Sequence, residues 1–269
     1  MNQVTIEERD GYRYIVANGI PDHAHGDFPN RGNPNSILAQ RFAFRVPLEP
    51  EWRDEPVPLG HHPFGVALNG VPFDPGTAEF WNGDRRSGWN YEALSGRINL
   101  GLDHNHAHVQ PSGAYHYHGT PQGLIQALLQ RSRQPSTRNS RGKTPMVLLG
   151  YAADGYPIYN AVGHAEPENQ RSRRKFLRSS YRLKRGTRPS GPRGKYDGTF
   201  TEDYEFATGL GDLDECNGYY GVTPESTGAT YYYCITESFP HIPRFYHGVP
   251  DESFLRRHGR GPNSRPRAP

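Results

Sequence analysis

Two segments of the chain repeat one pattern, in which an Asn-Gly or Asp-Gly pair separates two runs of strand-forming residues. The first is FGVALNGVPFDP at 64–75, and the second is LGYAADGYPIYN at 149–160. Asn69 and Asp154 occupy the same place in the two copies. Such a pair between two runs is the strongest short-range signal for a β-hairpin. We therefore expect both segments to form hairpins.

A second, weaker repeat follows in the same order. The segment GAYHYHGTP at 113–121 is echoed by GATYYYCITESFP at 228–240, where Tyr and Cys stand in place of the histidines. Two repeats in one order indicate a duplicated β unit. Only the first copy keeps its histidines, and this asymmetry favours a functional site over a requirement of the scaffold.

The composition agrees with a fold built from strands and turns. The 269 residues include 31 Gly, 25 Pro, 17 Tyr and 12 Phe, a balance typical of many turns and aromatic strand positions. We predict an all-β fold, sandwich-like or barrel-like and internally duplicated, with one or two short helices. Residues 1–255 are expected to form a single domain, and residues 256–269 a disordered basic tail.

Helical patterns are scarce in the sequence. One short helix is predicted over 121–132, where PQGLIQALLQRS places four aliphatic side chains on one face, and it is expected to cover the sheet. A second is expected within RRKFLRSSYRL at 173–183, whose apolar residues fall loosely on one side.

The formal net charge of +3 is too small to indicate a polyanion partner, but the basic residues are unevenly distributed. The basic segment, residues 171–195, holds eleven Lys and Arg and no Asp or Glu. The simpler interpretation is a solvated surface excursion, and the alternative is a patch for nucleic acid or another polyanion. Few aromatics and no nucleic-acid-binding motif accompany the segment, so nucleic acid is not the expected partner.

The chain has no apolar stretch near the roughly 18 residues that a membrane span requires. Its first residues, MNQVTIEERD, lack the hydrophobic core of a signal peptide. We therefore expect neither a span nor a signal peptide in this chain. Cys216 and Cys234 are candidates for a disulfide, which would indicate an oxidising compartment, and reduced core thiols are the equal alternative.

Histidines are most concentrated in HAHVQPSGAYHYHG at 106–119, which holds four of them. Two strands joined by Pro111-Ser112-Gly113 fit a three-residue hairpin, because Pro suits the first loop position and Gly the left-handed third. This loop length pairs His108 with His116. Side chains alternate along a strand, so the histidines are expected on one face and the tyrosines on the other.

Opposed histidines on two strands predict a metal site, although single histidines on a solvent-facing strand are commonly inert. The Cβ atoms would stand about 5 Å apart across the strands and about 6.6 Å along them, close enough for imidazoles to share an ion. Imidazoles without thiolate point to Zn, Cu, Fe, Mn or Ni, and we expect a divalent ion, copper or zinc, as the cofactor. The predicted ligands are His104, His106, His108, His116 and His118.

Two carboxylates are candidates for supporting roles. Asp103 and Asp154 are each suited to be a further ligand, a hydrogen-bond acceptor for a ligand's other ring nitrogen, or a general base. The simpler interpretation of Asp154 is a turn residue of the second hairpin. Tyr115 and Tyr117 are expected to be core aromatics. Weaker site candidates are Asp214, Glu215, His23, His25, His61 and His62.

Six segments together resemble one known family. They are GDFPNRGNPN (26–35), GVALNGVPFDPGTAEFW (65–81), WNYEALSG (89–96), LGLDHNHAHVQPSGAYHYHG (100–119), GYAADGYPIY (150–159) and LDECNG (213–218). The chain is similar to the YHYH domain family of bacterial proteins, whose signature stands here as Tyr115-His116-Tyr117-His118. The resemblance implies a single domain and an extracytoplasmic location, periplasmic or secreted. It does not imply a reaction.

Two classes of function follow from the metal hypothesis. In the first, the site is catalytic, hydrolytic with zinc or oxidative with copper, and it needs a cleft for a small-molecule substrate and a base near the ion. In the second, it is a non-enzymatic module for metal storage, delivery or sensing. Polyanion binding through the basic segment is a third alternative. The sequence contains no nucleophile elbow, P-loop or dinucleotide fingerprint that would indicate an enzyme without metal.

Overall fold

The computed structural model describes residues 1–132 and 145–255 and folds them mainly into short strands. The described residues also contain two helices, α1 (Gln122–Arg131) and α2 (Glu252–Leu255). The all-β prediction is therefore confirmed. The strands are β1 (Val4–Arg9), β2 (Tyr12–Ala17), β3 (Phe42–Pro47), β4 (Val57–Pro58), β5 (Gly65–Ala67), β6 (Pro72–Phe73), β7 (Ala107–Val109), β8 (Tyr115–Tyr117), β9 (Leu148–Ala152), β10 (Pro157–Asn160), β11 (Val162–His164), β12 (Arg174–Phe176), β13 (Tyr181–Leu183), β14 (Tyr204–Phe206), β15 (Gly218–Val222), β16 (Ala229–Ile235) and β17 (Phe245–Tyr246).

Two sheets contribute to one main core. Strands β1, β2 and β3 form a three-stranded sheet, and a larger sheet has the order β15-β16-β10-β9-β5-β6-β8-β7. Buried Ile15, Phe44 and Val46 of the first sheet share an apolar cluster with Val66 and Tyr117 of the second. The sheets are open, with β15 and β7 at the ends of the larger one, so the architecture is sandwich-like and the barrel alternative is wrong.

The strand order of the large sheet repeats about its centre. From the centre outward, one half runs β5-β6-β8-β7 and the other runs β9-β10-β16-β15. In each half, the first two strands form an antiparallel hairpin, the third is parallel to the second, and the fourth is antiparallel to the third. This pattern confirms the predicted duplication and relates β8 to β16.

The two halves meet where β5 pairs antiparallel with β9. A Cβ at Gly65 would stand 2.5 Å from the Tyr151 carbonyl oxygen, and one at Gly150 would stand 2.2 Å from that of Val66. Both distances are too short for a side chain, so the close approach of the two strands requires glycine at both positions.

One of the two predicted helices is present. The helix predicted over 121–132 is confirmed as α1, whose Leu124 is fully buried. The helix expected within 173–183 is wrong, because that segment supplies strands β12 and β13. Strand β12 pairs with β11, and β13 pairs with β14, so tertiary pairing outweighs a loose helical periodicity.

Several cations of the basic segment are paired with acids. Arg188 is buried and lies 2.6 Å from Asp203 and 2.5 Å from Asp197. Lys175 and Arg182 also form ion pairs with carboxylates. Most Lys and Arg side chains of the segment are nevertheless exposed, which agrees with the solvated-surface interpretation, and Arg188 is the buried exception. The pairing partners lie beyond the segment itself, and for this reason local charge counting does not reveal them.

Cys216 and Cys234 are free thiols, so the candidate disulfide is not formed. Both are buried, but Cys216 belongs to the main core, together with Tyr233, whereas Cys234 belongs to a second apolar cluster with Tyr232. Cys234 follows Tyr233 on β16, and neighbouring residues of a strand point to opposite faces of the sheet. The Cys234 sulfur is therefore directed away from the core that contains Tyr233 and Cys216.

The main apolar cluster draws residues from Ile15 to Phe254. A single domain over 1–255 stays a prediction, and the expected tail at 256–269 lies outside the described residues. Over residues 1–132 and 145–255, no helix is long and apolar enough to cross a membrane.

Candidate functional site

Strands β7 and β8 form the predicted hairpin. His108 lies opposite His116, and the pairs on either side follow the predicted register. Gly113 has a φ of +85°, the left-handed conformation expected at the third loop position. Its N–H donates to the Gln110 carbonyl at 2.8 Å and closes the loop. The register prediction is confirmed.

The hairpin directs two tyrosines to one face and histidines to the other. Tyr115 and Tyr117 are fully buried in the main core, as expected. On the opposite face, His108, His116 and His118 form a compact group, here named the histidine cluster. The Nε2 atom of His118 lies 3.0 Å from that of His116 and 3.2 Å from that of His108.

Backbone carbonyls fix the orientation of two of these rings. The Nδ1–H of His108 donates to the Leu100 carbonyl at 2.8 Å, and that of His116 donates to the Ala114 carbonyl at 3.3 Å. Since a carbonyl only accepts, and a neutral imidazole carries one proton, both rings have a lone pair on Nε2. His116 and His118 are buried, with 3% and 2% of their surface exposed, whereas His108 is half-buried.

All three imidazoles of the histidine cluster are neutral at neutral pH. Burial, with a contribution from His116, lowers the pKa of His108 to about 4, and burial lowers the pKa of His116 to about 4. Burial and the two neighbouring rings hold the pKa of His118 well below its ordinary value. Neutral imidazole is the form that binds metal ions, so the cluster can ligate without first losing protons.

Charged groups surround the histidine cluster on several sides. The carboxylates of Asp74 and Glu79 favour positive charge at the cluster. The Arg244 guanidinium acts in the opposite direction, but it is paired with buried Glu92 at 2.5 Å. Because the arginine is neutralised by its partner, these neighbours are compatible with a bound cation.

Two of the five predicted ligands lie outside the histidine cluster. His106 adopts a φ of +51°, so the alternation of side chains between the two faces, which holds in β7, does not extend to His106. The His106 carbonyl still accepts the His118 N–H at 2.7 Å. The Nδ1 atom of His106 is buried without a hydrogen-bond partner. His104 is exposed to solvent. The expected row of five therefore becomes a group of three.

Neither candidate carboxylate is bonded to the histidine cluster in the described part of the chain. Asp103 lies on the tyrosine face, where it accepts the Tyr115 hydroxyl at 2.7 Å. Asp154 is fully buried in the second half of the sheet and accepts the Tyr233 hydroxyl at 2.6 Å. Burial raises the pKa of Asp154 to about 6, and hydrogen bonds from Tyr233 and backbone N–H groups act the other way. Both carboxylates hold the scaffold.

These tyrosine contacts recur in both halves of the sheet. Each half has one tyrosine that bonds the residue of its hairpin turn and one that bonds an aspartate before its outer strand. Asp103 and Asp214 are thereby equivalent. The bonded pairs are Tyr117 with Asn69 and Tyr115 with Asp103 in the first half, and Tyr233 with Asp154 and Tyr231 with Asp214 in the second.

A second group of potential metal ligands escapes sequence analysis. Asp214, Cys216 and His247 bring a carboxylate oxygen, a thiol sulfur and a ring nitrogen within 4.8 Å of one another. The sequence singles out Asp214 as a weaker candidate and Cys216 as half of a disulfide, but no local pattern connects them to His247. The other candidates lie outside both groups; they are His23, His25, His61, His62 and Glu215.

Comparison with known proteins gives a single family match. The family model described as "YHYH protein" matches residues 43–248, a range that contains the hairpin and both groups of potential metal ligands. No curated protein and no solved structure matches the chain. The matched range covers most of the sequence and includes the Tyr-His-Tyr-His signature. The chain therefore belongs to the YHYH family.

Proposed function

We propose that this protein binds a transition-metal ion at the histidine cluster. The observation that supports the proposal is the convergence of three Nε2 atoms, separated by 3.0 Å and 3.2 Å at the two closest contacts. On His108 and His116 these atoms carry lone pairs, because the backbone carbonyls hold the Nδ1 protons. When the Nε2 atom of His118 also presents a lone pair, a cation between the three rings relieves the repulsion among them.

A proton alone leaves the cluster incompletely satisfied. If His118 carries its proton on Nε2, it donates a full hydrogen bond to only one of its two neighbours. A single metal ion accepts the lone pairs of all three rings at once. Ligand atoms about 2.0–2.1 Å from a tetrahedral zinc ion lie about 3.3 Å apart. The spacings of 3.0 Å and 3.2 Å are close to that value.

The donor set favours zinc or copper. Three neutral imidazoles without a thiolate suit both ions, and copper stands above zinc in general affinity. Asp74 and Glu79 add negative charge on the side of His108, which stabilises a divalent cation. We therefore expect one divalent ion per chain at this site.

Metal binding ranks ahead of catalysis in this proposal. Three protein ligands are the number found at catalytic zinc centres, which keep a further position for water. The burial of His116 and His118, however, favours a site that holds or delivers its ion, because His108 alone of the three histidines is partly exposed to solvent. The ion pairs of the basic segment leave the polyanion alternative with less support.

The test is the metal content of untagged full-length protein after reconstitution with Zn²⁺ or Cu²⁺. The parent chain is compared with His118→Ala and with His104→Ala, a matched control at an exposed histidine of the same loop. We expect His118→Ala to lose one equivalent of metal and His104→Ala to lose none. Equal content in three folded proteins would contradict the proposal. His108→Gln, at a half-buried position, serves if His118→Ala does not fold.

The catalytic alternative has its own test. The zinc form is assayed with an activated ester and the copper form with an oxidisable phenol, each beside the His118→Ala variant. A turnover that disappears in the variant would support a metal-dependent enzyme. Bound metal without turnover would leave the storage or delivery role.

A further inference from the structure

Asp214, Cys216 and His247 form a second cluster at the β15 end of the large sheet, here named the thiol cluster. Asp214 and Cys216 precede β15, and His247 follows β17. Their potential ligand atoms all lie within 4.8 Å of one another. We propose that the thiol cluster is a second metal site, separate from the histidine cluster, that takes zinc or another thiolate-binding divalent ion.

The Asp214 carboxylate is held in place by the start of the outer strand. Its Oδ1 atom accepts the N–H groups of Cys216 at 2.9 Å and Gly218 at 2.8 Å. Its Oδ2 atom accepts the Tyr231 hydroxyl at 2.9 Å and lies 3.4 Å from Nε2 of His247. The backbone contacts leave Oδ2 as the oxygen directed toward the cluster.

The His247 ring is fixed on its face and at its edge. It stacks on Trp52 with ring centroids 3.9 Å apart and an angle of 14° between the planes. Its Nδ1–H donates to the Arg53 carbonyl at 3.0 Å. Because this carbonyl holds the Nδ1 proton, the neutral ring presents a lone pair at Nε2 toward a carboxylate oxygen. A proton or a metal ion between these two atoms would satisfy both.

The distance between these acceptors is longer than a typical charge-assisted hydrogen bond and has room for a metal ion. A charge-assisted hydrogen bond between nitrogen and oxygen is about 2.7–2.9 Å long. Ligand atoms around a tetrahedral zinc ion lie about 3.3 Å apart. The observed 3.4 Å between Asp214 and His247 matches the second value.

Comparison of the two halves shows that the position of Cys216 does not require a thiol. Asn105 has the same place in the first half, two residues after an aspartate whose Oδ1 accepts its N–H. The Asn105 side chain donates to the Ala24 carbonyl at 3.0 Å and accepts the Gly123 N–H at 2.7 Å. A thiol is a weak partner for such bonds, so the second half has a potential metal ligand where the first half has a hydrogen-bonding amide.

The thiol cluster is also accessible. A cleft of about 590 Å³ lies beside it, and its lining includes Trp52, Tyr156, Asp214 and Tyr231. Asp214 belongs to the cluster, and Trp52 and Tyr231 contact its members, so the cleft borders the cluster on the side of Asp214. Three protein ligands leave zinc a further position, which water or a small anion from the cleft would fill.

Metal binding at the thiol cluster involves a simple exchange of bonds. The S–H bond of Cys216 breaks, a sulfur–metal bond forms, and the proton passes to solvent. Sulfur, imidazole nitrogen and carboxylate oxygen together suit zinc and cobalt(II). No change of oxidation state occurs, so the step needs no oxidant or reductant.

Cobalt(II) distinguishes the two clusters, because a cobalt–thiolate bond produces a near-ultraviolet charge-transfer band and an imidazole site does not. The full-length protein is titrated with cobalt(II) under reducing conditions. Cys216→Ser is the test variant, and Cys234→Ser is the matched control, since Cys234 is also a buried free thiol. We expect the band, saturating at one equivalent, in the parent and the control and its loss in Cys216→Ser.

Absence of the band in the parent at saturating cobalt(II), or its persistence in Cys216→Ser, would overturn the inference. His247→Gln is the second variant, and it is expected to reduce cobalt affinity at the band by at least tenfold if Cys216→Ser fails to fold. His118→Ala is expected to keep the band. This last comparison separates failure of the thiol cluster from failure of the histidine cluster.

Discussion

The two hairpin turns that are related by the duplication carry different residues at one equivalent position. Asn69 stands in the first half, and its amide donates to the Tyr117 hydroxyl at 2.9 Å. Asp154 stands in the second half, and its carboxylate accepts the Tyr233 hydroxyl at 2.6 Å. The first half therefore keeps a neutral turn, whereas the second buries an acid whose pKa is raised by burial to about 6.

The buried acid predicts a pH dependence of stability. Because the pKa of Asp154 in the folded protein, about 6, is above its unfolded value of 3.8, the folded state binds the proton more tightly. This contribution to stability is full below about pH 4 and is lost as the pH rises through 6. Its size is on the order of 3 kcal/mol.

The matched variant is Asp154→Asn, which gives the second turn the residue of the first. We expect the unfolding free energy of the parent, relative to the variant, to fall by on the order of 3 kcal/mol between pH 4 and pH 7. Urea unfolding at several pH values measures this difference. Parallel pH profiles for the two proteins would contradict the assignment.

At the residue scale, sequence analysis identifies the site only where local geometry determines it. His108 and His116 follow from strand alternation and loop length. His106 does not follow, because its φ of +51° is a backbone property that the sequence pattern does not reveal. His247 joins Asp214 only through the tertiary fold, and nothing in its neighbourhood along the chain indicates that contact.

At the element scale, the loop of the β7–β8 hairpin controls the histidine cluster. Gly113 has a φ of +85°, and an added Cβ would stand 2.5 Å from the Cβ of Leu38. We expect Gly113→Ala to destabilise the protein by about 1–3 kcal/mol and to weaken metal binding at the cluster, because the two strands shift against each other. Thermal unfolding and metal titration measure the two effects.

Gly96→Ala is the control for this substitution. Gly96 has a φ of +70°, but no atom lies within 4 Å of a Cβ built on it. The control therefore introduces backbone strain without a clash and is expected to leave metal affinity unchanged. A loss of affinity as large as that of Gly113→Ala would show that the loop has no special role.

The strands of the basic segment depend on a buried ion pair. Arg188 is 8% exposed and bonds Asp203, which is fully buried. Removing one partner leaves an uncompensated buried charge, so we expect Arg188→Gln to lower the free energy of unfolding by about 3–5 kcal/mol. Arg185→Gln, at an exposed position in the same segment, is expected to change it by less than about 0.5 kcal/mol. Similar effects in denaturant unfolding would contradict this role.

Elements with strong local signals are predictable from the sequence, and elements built by distant pairing are not. The α1 helix and the β7–β8 hairpin carry their own periodicity and turn residues. Strands β12 and β13 have only a weak local pattern, and their identity is set by β11 and β14. The acids that pair with Lys175, Arg182 and Arg188 also lie outside the segment, so its charge pattern alone does not reveal these ion pairs.

At the scale of the whole molecule, metal at the histidine cluster is expected to stabilise the fold. An ion that binds the folded state alone, at a free concentration 100 times its Kd, raises the free energy of unfolding by about 2.7 kcal/mol. We expect this increase with zinc in Cys216→Ser, which keeps only the histidine cluster, its reversal by a chelator, and its absence in the double variant Cys216→Ser/His118→Ala. Calorimetric unfolding that is indifferent to metal and chelator would contradict binding coupled to folding.

The seam between the two halves has the symmetry of an interface between subunits. Gly65 lies opposite Ala152, and Ala67 lies opposite Gly150, so each contact is the exchange of the other. This reciprocity is the property of an isologous two-fold interface. A half-length chain that paired this strand with a second copy of itself would build the same eight-stranded sheet. Fusion into one chain releases the copies from identity, which allows imidazoles on one half and a thiol on the other.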